Sequence, residues 1–159
     1  MIQLKPNWEF ISDTVMGGVS EGSVAEEIVG GRNATALRGK VSLDNNGGFI
    51  QMAFDLCEDG SVVDASAMDG IEIEVWGDGD TYDVRLRTAQ LTKPWQSFRT
   101  DFVAQLRWQK IRVPFSSLVS HRVDAVFDPM CLRRIGILAI GSERSAYIAV
   151  SDIGFYSAS

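Results

Sequence analysis

Ile71-Glu72-Ile73-Glu74-Val75-Trp76-Gly77-Asp78-Gly79-Asp80-Thr81-Tyr82-Asp83-Val84-Arg85-Leu86-Arg87-Thr88 alternates apolar and charged residues on both sides of a Gly-Asp-Gly-Asp break. A strand sends successive side chains to opposite faces, so a two-residue period marks strands with one buried side. The pattern predicts a hairpin that sets Ile73 against Leu86 and Val75 against Val84, with Glu72 facing Arg87 and Glu74 facing Arg85. Each such cross-strand match contributes about 0.2–1 kcal/mol, and a one-residue slip would undo both sets. Gly77 through Asp80 supplies turn chemistry. It does not read as a calcium loop, because Tyr82 stands where an oxygen ligand is needed and no Glu follows at the required distance.

Similar alternation extends in both directions. Strands are expected around 8–12, 23–29 and 37–43, the last with Leu37, Gly39, Val41 and Leu43 on one side. Another at 49–56 places Ile50, Met52, Phe54 and Leu56 together, and the 44–48 loop is predicted to join it to its predecessor as a hairpin. The polar stretch 57–69 reads as a connection with one turn at 65–68. Further strands are expected at 95–102, at 107–113 ending on Pro114, at 133–141 and at 146–155. Ile135-Gly136-Ile137-Leu138-Ala139-Ile140 is almost wholly apolar, which suggests a strand buried on both faces. Many short strands and no amphipathic helix predict an all-β antiparallel β-sandwich of jelly-roll type. The 159 residues are expected to form a single domain, 1–159.

Composition narrows the partners. The net charge of −6 and the absence of a Lys/Arg stripe argue against nucleic acid. No segment approaches the length of a membrane span and the N-terminus lacks a signal-peptide pattern, so a cytoplasmic protein is expected. Cys57 and Cys131 show no C-x-x-C spacing and are expected to be reduced, largely buried thiols. His121, the only histidine, rules out a multi-histidine metal site, and without a G-x-S-x-G elbow it reads as a solvated loop residue. Neither a metal nor another cofactor is expected, and no catalytic constellation is found; an enzyme using Asp13 as a base would need a raised carboxyl pKa in a cleft.

Two glycine-rich loops hold the candidate binding residues. Asp13-Thr14-Val15-Met16-Gly17-Gly18-Val19-Ser20 contributes Asp13, Met16, Gly17, Gly18 and Ser20. Asn45-Asn46-Gly47-Gly48-Phe49 contributes all five of its residues. Glycine permits close backbone approach, and Asp and Asn brace loops through main-chain hydrogen bonds, so bracing and direct ligand contact are both open. Gly17-Gly18 is expected to lie against Asn46-Gly47-Gly48. A second candidate surface is aromatic: Trp76, Tyr82, Trp95 and Trp108 could present flat faces to a sugar or peptide, or simply pack.

The loop around Met16-Gly17-Gly18 resembles the D-x-V-M-G-G-x-S signature of the complex I intermediate-associated protein 30 family. Further likenesses follow in order: Asn46-Gly47-Gly48-Phe49, Asp69-Gly70-Ile71, Gly77-Asp78-Gly79 with Tyr82, Trp108-Gln109 and Pro114-Phe115. His121-Arg122 departs from the R-G pair the family carries after its P-F motif. The resemblance implies a galactose-binding-domain-like sandwich and a non-enzymatic assembly-factor module that acts through protein–protein contacts. The alternative is a carbohydrate- or small-ligand-binding module.

Overall fold

The computed structural model describes residues 2–158, except for the side chain of Asn46. Its strands are β1 (Ile2–Gln3), β2 (Glu9–Ser12), β3 (Glu21–Val29), β4 (Arg32–Val41), β5 (Phe49–Asp55) and β6 (Gly70–Gly77). They continue with β7 (Thr81–Thr88), β8 (Ser97–Val103), β9 (Gln109–Pro114), β10 (Val119–His121), β11 (Leu132–Ile140) and β12 (Arg144–Tyr156). They form two six-stranded sheets, one ordered β3-β4-β12-β6-β9 with β1 on β12, the other β10-β8-β7-β11-β5-β2. Every pairing is antiparallel. The predicted jelly-roll sandwich is therefore the observed fold.

The strands at 71–88 form where the alternation puts them, but they do not pair with each other. β6 lies between β12 and β9 in the first sheet, while β7 lies between β8 and β11 in the second. Alternation decides which face of a strand is buried and leaves its neighbour open. In a sandwich the two apolar faces meet across the interior instead of lying side by side. Glu72 is consequently opposite Arg112 and Glu74 opposite Lys110, and Arg85 is opposite Arg99. The Gly77–Asp80 connection crosses between sheets, pinned by the Gly79 N–H to Ala104 O and the Ala104 N–H to Asp80 O bonds (2.7 and 2.9 Å). The expected hairpin across 44–48 is corrected in the same way: β4 pairs with β3 and β12, β5 with β2 and β11. Asp44–Asn46 is a 3-10 turn that carries the chain from one sheet to the other.

The true hairpin lies one connection earlier. Gly30 and Gly31, at φ of 52° and 80°, join β3 to β4 in the left-handed conformation that suits a two-residue turn. Ile71, Ile73 and Val75 of the first sheet and Ile50, Met52, Val84, Leu86, Ile135 and Ile137 of the second are fully buried and form one core. Ile135 through Ala139 are all buried, as a central strand covered on both faces requires. Pro114 ends β9 at the sheet edge, where its missing N–H costs nothing. Met68 N–H donates to Ala65 O in the single expected turn. His121 departs from expectation: it ends the short edge strand β10, half-buried and opposite Ser97. Cys57 and Cys131 are free and half-buried, less deeply placed than predicted. Among the described residues no helix is long and apolar enough to cross a membrane.

Candidate functional site

Asp13 is fully buried at the point where the two glycine loops meet. It opens a 3-10 turn, Asp13–Met16, whose start is capped by the Ser12 hydroxyl accepting from Thr14 N–H. Four donors converge on its carboxylate. Ser20 N–H donates to Oδ1 at 3.0 Å, and the Ser20 hydroxyl, Gly48 N–H and Phe49 N–H donate to Oδ2 at 2.5, 2.5 and 3.2 Å. The Ser20 hydroxyl also accepts from Ser42 N–H at 2.9 Å, which ties the end of β4 into the same network. Burial alone would raise the Asp13 carboxyl; the bonds from the Ser20 hydroxyl, Gly48, Ser20 N–H and Phe49 outweigh it and hold the group below its ordinary value. A lowered carboxyl is the opposite of what the base reading of Asp13 requires.

The glycines make room for this carboxylate. A Cβ on Gly18 would come within 2.4 Å of Asp13 Cγ, and one on Gly47 within 2.5 Å of Oδ2. Of the predicted residues, Asp13, Gly18, Ser20, Gly47, Gly48 and Phe49 thus come together as a knot, through side chains, amides or close packing. Gly17 (φ 87°) caps the turn, and Asn45 adopts φ 57° at an exposed corner. The side chain of Asn46 lies outside the described residues. Met16 is the predicted residue that faces solvent with an apolar side chain, 58% exposed. Three exposed neighbours were missed from the sequence: Val15 at 73%, Val19 and Leu43. Leu43 reaches to 3.0 Å from where a Gly48 Cβ would stand. The signal for them was an apolar Val-Met pair inside a loop, where solvent should favour polar residues.

The four aromatics do not form one surface. Tyr82 is buried in the core, its hydroxyl donating to Asp78 Oδ2 at 2.9 Å and accepting from Tyr147 N–H at 2.9 Å. Trp76 and Trp108 meet edge to face (6.0 Å, 73°) on the outer side of the first sheet, packed on Ala34, Ala36 and Ala149. Gly30 has no room for a side chain beneath them, and Trp108 Nε1–H donates to Val29 O at 2.9 Å. Trp95 stands apart, half-exposed in the loop before β8. Small side chains on the outer face of a sheet leave a trough, and large aromatics fill it; packing accounts for the pair.

On the outer face of the second sheet, Asp83, Arg85, Arg99, Asp101, His121 and Arg144 line a polar groove. Asp83 is buried and accepts from Arg99 Nε (2.8 Å) and Arg85 Nη2 (3.1 Å). Burial pushes the Asp83 carboxyl up, but Arg99 and Arg85 prevail and its pKa is lowered. His121 is pushed down by burial and by Arg85, Arg122 and Arg99, so its imidazole is neutral at neutral pH. Arg85 escaped as a groove residue because its charge was assigned to Glu74 across the expected hairpin, and His121 because it read as a solvated loop residue. Among the described residues no group of three or more His, Cys, Asp or Glu could hold a metal ion.

The fold is shared with carbohydrate-binding modules. A family 11 module from Clostridium thermocellum, solved with a β-1,3-1,4-mixed-linked tetrasaccharide, superposes with TM-score 0.75 at 16% identity over 99% of this chain and 95% of that one. A family 30 module of the cellulosomal cellulase Cel9D-Cel44B of the same organism gives 0.72 at 14% identity, covering 99% and 97%. At these identities the likeness shows the fold. No curated protein matches the chain in sequence. Residues 3–148 match the family described as Complex I intermediate-associated protein 30, with both glycine loops inside the match, and the chain belongs to that family.

Proposed function

We propose that the protein is a non-enzymatic binding module of the assembly-factor kind, and that it docks a protein partner on the surface built by loops 13–20 and 44–49. The observation that carries this reading is the contrast within a few residues. Asp13 is buried and fully bonded, while Val15 and Met16 on the same turn are held out in solvent at 73% and 58% exposure. Apolar side chains on a rigid support lose little conformational freedom on docking, which favours affinity. Membership of a family described as associated with a complex I intermediate supports a macromolecular partner. Affinity capture followed by mass spectrometry tests the reading. A discrete partner is expected with the native chain and its loss with Met16→Ala and Phe49→Ala; no specific partner, or capture unchanged in both variants, would overturn it.

A second reading, saccharide binding, is supported by the likeness to carbohydrate-binding modules and by polar clefts in the surface. It does not rest on the four aromatics, three of which are occupied by packing.

A further inference from the structure

We infer that the open end of the sandwich beside β3, β4 and β12 binds an uncharged or cationic sugar ring against Trp8. For its ligand class this rests on the saccharide reading; it is independent of the loop surface.

The cleft there has a volume of about 620 Å³, and Trp8, Glu26, Asn33, Thr35 and Ser151 carry its chemistry. Its walls follow from the strand pattern. Glu27 turns outward, bonded to Arg38 and to the Tyr147 hydroxyl, so its neighbour Glu26 takes the inward side of β3. Thr35 and Asn33 share the inward side of β4 with the core residue Leu37. Along this side the sheet changes from fully buried Leu37 and Val41 to polar residues, at the end where the short strand β2 no longer covers it. A covered inner face would be apolar throughout.

Trp8 forms the aromatic wall. Its indole meets Phe54 edge to face at 4.7 Å and 75°, which fixes its position from behind, and it remains only partly buried. β12 supplies the opposing hydroxyl: a β-bulge between Val150 and Asp152 drops Ser151 from the ladder with β6. The Ser151 Oγ is buried without any hydrogen-bond partner. Bulges re-aim side chains next to sites, and a buried hydroxyl left unbonded is destabilising until something bonds it.

Ligand class follows from what lines the cleft. Glu26 is the charged residue on its inward side, Glu27 being turned out to Arg38 and Asp152 lying opposite Glu74 on the outer side of the sheet, and no Lys, Arg or His lines the cleft, so phosphorylated and carboxylated ligands meet a carboxylate and no cation. One aromatic face with hydroxyl, amide and carboxylate groups around it suits a ring that has an apolar face and hydroxyls at its edge. A cage for a quaternary ammonium would need several rings.

The test is an amide chemical-shift titration of the whole chain with methyl β-galactoside, methyl β-glucoside, glucosamine and cellotetraose, and with galacturonate as the anionic comparison. Saturable shifts at Glu26, Asn33, Thr35 and Ser151 are expected with a neutral or amino sugar. Affinity should fall about tenfold or more for galacturonate and for the Ser151→Val and Glu26→Lys variants, which leave the core intact. Saturable shifts confined to Asp83, Arg99 and His121, or binding unchanged in both variants, would overturn the cleft while leaving saccharide binding in place. No saturable shift with any member of the panel would overturn both.

Discussion

Asp13 and Asp83 are both carboxylates removed from solvent, one bonded by main-chain amides and a hydroxyl, the other by two guanidinium groups. The donors around Asp13 belong to two loops separated by strands β3 and β4, so this carboxylate fixes where backbone segments lie. Those around Asp83 are flexible side chains on β7 and β8, strands already held by their own ladder. One carboxylate shapes the chain and the other shapes the charge of a groove. The lesson is that a buried acid is read by its donors: amide donors mark an architectural role, and arginines at a surface mark a polar face left open to a ligand.

Removing each carboxylate separates the two roles. Asp13→Ala leaves the buried Ser20 and Gly48 N–H groups and the half-buried Phe49 N–H without an acceptor, while the Ser20 hydroxyl keeps Ser42 O at 3.2 Å, so thermal or urea unfolding should show a loss of about 3–5 kcal/mol. Asp83→Ala frees arginines whose side chains are 17% and 30% exposed and can turn to water, so the loss should be about 1–2 kcal/mol. Salt sharpens the contrast. Raising ionic strength to about 1 M, where the Debye length is about 3 Å, should shrink the Asp83 effect and leave that of Asp13 almost unchanged.

Much of the fold was legible because strands declare their buried face. The β-sandwich, the strands at 71–88, the doubly buried β11 and the strand end at Pro114 all follow from alternation and proline chemistry. Pairing was not legible for 71–88 or across 44–48, since two apolar faces can meet within one sheet or across two. That ambiguity also hid the groove. Arg85 and Arg87 were paired with Glu74 and Glu72 by count of residues, whereas Arg85 bonds Asp83 two residues away on its own strand face. Arg87 instead donates to the Lys93, Pro94 and Gln96 carbonyls and holds that loop. That the two glycine loops meet was legible, because Asp and Ser beside paired glycines ask for a close approach; that they meet through the Asp13 carboxylate, with nothing within 4 Å of a Cβ on Gly17, was not. Which of their residues would be buried and which exposed was not, since loop composition carries no period.

Acid should produce the smallest difference between the two sites. Both carboxyls lie below their ordinary value of 3.8 in the folded protein, so each contributes stability that is whole above pH 3.8 and is lost as pH falls through the folded value. Unfolding free energy measured over that acid range should decline less steeply in Asp13→Asn and in Asp83→Asn than in the native chain.

The docking role of the loop surface can be tested directly by photo-crosslinking in cells, with the photoreactive side chain placed either at Met16 or at Val126, an apolar residue 87% exposed on a separate loop. The expected result is a discrete crosslinked protein species from position 16 that is absent from position 126. No adduct at position 16, or the same adducts from both positions, would contradict the assignment of these loops as the docking surface.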